Sequence, residues 1–82
     1  MKKFEAIVNV LLKPGISDPQ GQTIERALPA LGYEGVEGVR VGKHIELSVE
    51  ASSEDDARAR IEEMCERLLA NPVIESYEVT VS

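Results

Sequence analysis

A chain of 82 residues makes one domain with room for only a thin core, since a fold this small buries about 60–65% of the surface its unfolded chain exposes. Fifteen Asp and Glu against nine Lys and Arg give a formal net charge of −6, which repels a phosphate backbone and argues against nucleic-acid binding. The single cysteine, Cys65, excludes an internal disulfide and a paired-thiol site, and Met1-Lys2-Lys3 opens directly into an alternating pattern instead of an apolar leader or a membrane span, so a cytoplasmic chain is expected.

The first element runs from Lys3 to Leu12, where Phe4, Ala6, Val8, Val10 and Leu12 alternate with Glu5, Ile7, Asn9 and Leu11 in the period of a strand. Ile7 and Leu11 make the second face partly apolar too, which predicts that a partner covers it. Pro14-Gly15 marks a turn, and Asp18-Pro19 starts a helix: Asp18 can cap free N–H groups, and Pro19 fits a first helical position whose N–H has no intrahelical partner. Gly21 falls inside the first turn, where it lowers helix propensity by about 1 kcal/mol relative to Ala. Something is therefore expected to approach that backbone closely. The helix extends to about Leu31, with Ile24, Ala27, Leu28 and Leu31 on one face; Pro29 predicts a kink or an early, tightened end, and Gly32 a left-handed terminator.

Val36 to Val41 reads as a second strand, Gly42-Lys43 as a tight connection, and His44 to Glu50 as a third strand with Ile45, Leu47 and Val49 buried. Ser52 or Ser53 starts a second helix, each with an aspartate three residues on, Asp55 and Asp56, in the manner of a capping box. Ala57, Ile61, Met64, Cys65 and Leu68 form its apolar face, Arg58, Glu62, Glu63, Glu66 and Arg67 lie outside, and Asn71-Pro72 stops it. Tyr77, Val79 and Val81 alternate with Ser76, Glu78 and Thr80 in a last strand. The order βαββαβ predicts an α+β, ferredoxin-like split βαβ sandwich over residues 1–82: an antiparallel four-stranded sheet with both helices on one face.

No catalytic constellation assembles from these residues. His44 is the only histidine and sits on a polar strand face, Cys65 reads as a small buried thiol, and Asp55-Asp56 and Glu62-Glu63 read as solvated faces. An RNA-recognition module would need sheet aromatics and basic strands, and the chain has only Phe4, Tyr33 and Tyr77; a soft-metal carrier would need cysteines in the first loop. No phosphate-loop motif is present. The first loop, flanked by Gly15 and Gly21, leaves open a dimeric small-ligand-sensing regulatory domain as an alternative function.

Lys13, Asp18-Pro19-Gln20-Gly21, Ala27-Leu28, Leu31-Gly32, Val39-Arg40-Val41-Gly42-Lys43, Met64-Cys65 and the run Leu68 to Glu75 together resemble the PurS family, the small subunit of phosphoribosylformylglycinamidine synthase, across nearly the whole chain. The resemblance implies a subunit with no active site and no cofactor of its own, acting in purine biosynthesis as a homodimer or dimer of dimers. Its partners would be a PurQ-type glutaminase that releases ammonia and a PurL-type synthetase that uses ATP and Mg, and the chain would join them and help ammonia cross. It further implies that the loop from Lys13 to Gly21 and the hairpin at Arg40 to Lys43 are contact elements. Lys13, Asp18, Gln20, Arg40 and Lys43 would then supply polar contacts, and Gly21 and Gly42 close backbone approach.

Overall fold

A computed structural model describes residues 1–82. Three strands form one antiparallel sheet in the order β2-β1-β3, with β1 at Lys2–Leu12, β2 at Gly42–Ala51 and β3 at Glu75–Val81. The registers pair Val8 with Ile45 on one side and Val79 on the other, so the alternating apolar residues of all three strands share an inner face. A helix, α2 at Glu54–Met64, lies on that face. Nine residues make the core: Ala6, Val8, Val10, Ala51, Ala57, Ile61, Cys65, Ala70 and Val81.

Three sequence expectations are corrected here. The sheet has three strands, and Val36–Val41 is not one of them, so Gly42-Lys43 opens β2 instead of turning a hairpin. The reason lies in the backbone. Gly35 and Gly38 take positive φ angles of 82° and 74°, which break an extended run, and the N–H groups of Val39 and Val41 donate to the carboxylates of Glu25 and Asp18 instead of to a strand. The missing element is the edge strand that would have lain outside β2.

The first helix, α1 at Pro19–Ala27, is also not where a ferredoxin-like sandwich would put it. It makes no extended contact with the sheet or with α2, and together with residues 29–38 it forms an arm. The molecule spans 53 × 25 × 15 Å, and its radius of gyration is 16.4 Å, against about 12 Å for a compact domain of this length. Pro29 behaves as expected: the α-helix ends before it and tightens into a 3-10 turn, Pro29–Leu31. Gly32, at φ 95°, closes the end, with its N–H on the Pro29 carbonyl and the Tyr33 N–H on that of Leu28.

The third correction concerns α2. Ser53 caps it by accepting from the Asp56 N–H at 3.1 Å, and Asp56 answers by accepting from the Ser52 N–H at 3.0 Å. At its end the helix widens into a π-turn, Cys65–Leu69, closed by the Ala70 N–H on the Cys65 carbonyl. The wider turn advances the face by a residue, so Leu69 packs on the core and Leu68, expected on the apolar face, stands 82% exposed. Arg58, expected outside, reaches the Val79 carbonyl of β3 at 2.8 Å.

On the outer sheet face His44 bonds Asn9 and Glu46, and Ser48 bonds Glu5. Ile7 and Leu11, 36% and 46% exposed, stand on the same face as these polar pairs. No helix is long and apolar enough to cross a membrane.

Candidate functional site

The residues singled out in the sequence converge at the base of the arm, where the loop leaving β1 meets the segment entering β2. Asp18 is the centre. It is buried, its Oδ1 accepts from the Gly21 N–H at 3.0 Å, and its Oδ2 accepts from the Val41 N–H at 2.8 Å. The Arg40 Nε lies 3.8 Å from the same carboxylate. The Gly21 and Val41 N–H donors, with a lesser pull from the Arg40 guanidinium, outweigh the cost of burial and hold the Asp18 carboxyl below the usual aspartate range.

Glycine at position 21 is explained by the chain itself. A Cβ there would overlap the Val39 carbonyl oxygen and come 2.7 Å from Asp18 Oδ2. The close approach expected at this backbone is thus made by residue 39, which α1 also holds through Glu25 Oε1, 3.0 Å from the Val39 N–H. Gly42 works the same way, since a Cβ there would overlap the Val10 carbonyl and reach 2.6 Å from the Leu11 side chain. Arg40 donates through Nη2 to the Leu12 carbonyl, and more weakly to that of Lys13 at 3.4 Å. Asp18, Gly21, Glu25 and Arg40 form a latch that sets the arm on the end of β1.

Beside the latch opens a cleft of about 380 Å³, lined by Val10, Leu12, Asp18, Pro19, Gln20, Val41, Gly42, Lys43 and Glu75. Four sequence-predicted residues, Asp18, Gln20, Gly42 and Lys43, share it; Gly21 and Arg40 lie outside its lining, and Lys13 enters the region through its backbone. The Lys43 ammonium donates to the Leu69 carbonyl at 3.1 Å and so ties β2 to the end of α2. Glu25 and Glu75 were not anticipated. Glu75 accepts from the Asn71 N–H at 2.6 Å and shapes the turn that borders the cleft. A glutamate on a helix and one at a strand start carry no local signal of such long-range or turn bonds. This geometry can fix loop shape and present polar groups to a protein surface.

The thiol of Cys65 is fully buried, and burial, with the nearby Glu62 and Glu66 carboxylates, pushes it up, away from the nucleophilic form. Tyr77 donates its phenol to the Glu66 carboxylate at 2.7 Å, which holds it protonated and raises its pKa from 10.0 to about 12. A raised folded-state value means that this bond contributes stability fully below pH 10.0, and the contribution is lost as pH rises through about 12. Glu66→Gln is expected to bring the Tyr77 ionisation, read by ultraviolet difference absorbance, back toward 10; an unchanged titration would show that Glu66 does not hold the phenol.

The chain and its fold are matched by known proteins. The family model for PurS, phosphoribosylformylglycinamidine (FGAM) synthase, matches residues 5–82. The chain belongs to the PurS family. PurS subunits of phosphoribosylformylglycinamidine synthase from Methanocaldococcus jannaschii and Bacillus subtilis are each 44% identical to it over 78 residues, 95% of this chain and 94% and 92% of theirs. The crystal structure of M. jannaschii PurS, one of the subunits of formylglycinamide ribonucleotide amidotransferase, has a TM-score of 0.85 at 42% identity, over 96% of this chain and 95% of that one. In the structure of PurLQS from Thermotoga maritima, a chain 39% identical matches with a TM-score of 0.90 over the whole of both. The overall shape of this chain is therefore shared by those solved chains.

Proposed function

We propose that this chain is the small, non-catalytic subunit of FGAM synthase, a carbon–nitrogen ligase of purine biosynthesis, and that it works in the cytoplasm by joining a glutaminase subunit to an ATP- and Mg-dependent synthetase subunit. The observation that carries the reading is the end-to-end match to a chain of PurLQS, at a TM-score of 0.90. Physical logic favours such a part. Ammonia released into water at neutral pH is diluted and mostly protonated, losing the lone pair that attacks, so docking the two sites preserves a local supply. The latch refines the division of labour among the site residues: Asp18, Gly21, Arg40 and Gly42 hold the loops in shape, while the exposed Lys13 and Gln20, with Lys43 at the cleft, offer the polar contacts to the larger subunits.

The test combines this chain with glutaminase and synthetase subunits from the same source and compares amidine formation driven by glutamine with that driven by added ammonium. Glutamine-driven synthesis is expected to need the chain, and ammonium-driven synthesis to need it far less. Indifference of the glutamine reaction to the chain would overturn the reading and move the small-ligand sensor to first place.

A further inference from the structure

The helix α2 buries one side, through Ala57, Ile61 and Cys65, and leaves the opposite side open. Along the open side runs a cleft of about 610 Å³ lined by Arg60, Glu63, Met64, Arg67, Leu68 and Leu69. None of these residues lines the cleft beside the latch. Met64 is 36% exposed and Leu68 82%, so exposed apolar side chains and two guanidiniums share one surface. The π-turn is what puts Leu68 there. A regular helix would carry it toward the core, seven residues after Ile61, whereas the wider turn gives that place to Leu69 and holds Leu68 out. Such turns recur at functional sites.

Arg60 and Arg67 stand about 10 Å apart along the helix axis. Each meets a carboxylate of its own helix, Asp56 at 3.3 Å and Glu63 at 3.5 Å. Exposed pairs of this kind are weak, and they give way to a better-placed acceptor.

We propose that this cleft docks an apolar segment of a larger subunit of the synthase, one that carries carboxylates at about the Arg60 to Arg67 spacing. The inference rests on the reading of the chain as a joining subunit, and it adds a surface separate from the latch and the chemistry that holds it. Carboxylates accept two parallel bonds from a guanidinium fork, and apolar side chains cover Met64 and Leu68. A phosphate or nucleotide fits less well, because Glu63 lies between the two arginines along the helix and repels a dianion. A second copy also fits less well. Two-fold pairing of this stripe with itself brings the Arg60 end of one copy onto the Arg67 end of the other, guanidinium against guanidinium. The Lys43 bond to the Leu69 carbonyl ties this end of α2 to the latch cleft, so the two surfaces adjoin.

The test measures, in synthase reconstituted from this chain and the two larger subunits, the concentration of the chain that half-saturates glutamine-driven amidine formation. Leu68→Asp is expected to raise it about thirtyfold or more. Arg67→Glu should raise it about tenfold, and Arg67→Gln less, because a reversed charge repels a carboxylate whereas an amide only fails to attract it. Both side chains are largely exposed, so the variants should keep the far-ultraviolet circular dichroism, the sedimenting mass of the isolated chain and the ammonium-driven rate. Half-saturation by Leu68→Asp at the wild-type concentration would overturn this surface and leave the proposed function standing. Equal effects of Arg67→Glu and Arg67→Gln would overturn the acidic character of the occupant. A changed sedimenting mass of the isolated Leu68→Asp chain would overturn the inference by assigning the cleft to a second copy. A wild-type chain without effect on the glutamine reaction would sink the proposed function and this inference together.

Discussion

Gly21→Ala is expected to destabilise the protein, although alanine improves an ordinary helix interior by about 1 kcal/mol. The sign turns on the Val39 carbonyl oxygen, which occupies the space a Cβ would need, with Asp18 Oδ2 at 2.7 Å from the same point. Neither obstacle can step aside freely. Val39 is held by its N–H on Glu25, Val41 by its N–H on Asp18, and the Asp18 carboxylate is itself fixed by the Gly21 N–H. Forcing a methyl group into a packed site costs about 1–3 kcal/mol, and with a backbone oxygen as the obstacle the upper end applies, so a net loss of about 1–2 kcal/mol remains after the helix gain. Urea unfolding at matched protein concentration measures the net value, and amide exchange locates it: the Val39 and Val41 amides should lose protection before the amides of β1 do. A variant more stable than the parent would show that residue 39 does not rest on α1.

The three strands, both helix starts and the Pro29–Gly32 terminator were legible because each is written in local chemistry: period-two alternation, an aspartate before a proline, two serines before acids, a glycine after a broken helix. What could not be read locally was where backbone donors go. Val36 to Val41 has the composition of a strand, but two carboxylates from 14 and 23 residues upstream take its N–H groups, and two glycines at positive φ break its extension. Nothing in the segment itself reports that competition. The position of α1 was unreadable for a related reason. An apolar stripe favours burial of a helix, and it is silent on what would bury it. The site was half legible: Asp18-Pro19-Gln20-Gly21 and Arg40-Val41-Gly42-Lys43 do meet, and Gly21 does admit a close neighbour, but that neighbour is the chain's own carbonyl. Motifs read as contacts to other proteins make contacts within this chain, Asp18 with Gly21 and Val41, and Arg40 with Asp18 and the Leu12 carbonyl.

Ile61→Ala and Leu68→Ala, seven residues apart on one apolar stripe of the sequence, should differ in cost by an order of magnitude. Ile61 is fully buried among the nine core residues, beside Val8, Ala57 and Cys65, and truncating it removes the largest side chain of a core with little material around it to collapse. Such a change costs about 2–5 kcal/mol. For a chain of this length whose whole stability is of order 4–12 kcal/mol, that is a large fraction, so the variant should unfold at a urea concentration near half that of the parent, or not hold its fold at 37 °C. Leu68, at 82% exposure, should change stability by no more than about 0.5 kcal/mol. The contrast tests the π-turn directly. A regular helix through Cys65–Leu69 would carry Leu68 onto the core beside Ile61, and the two substitutions would then cost similar amounts. Only the wider turn hands that place to Leu69 and releases Leu68 to the surface. Equal losses in the two variants would therefore remove the π-turn from the structure, and a cost confined to Ile61 is the result that the wider turn requires.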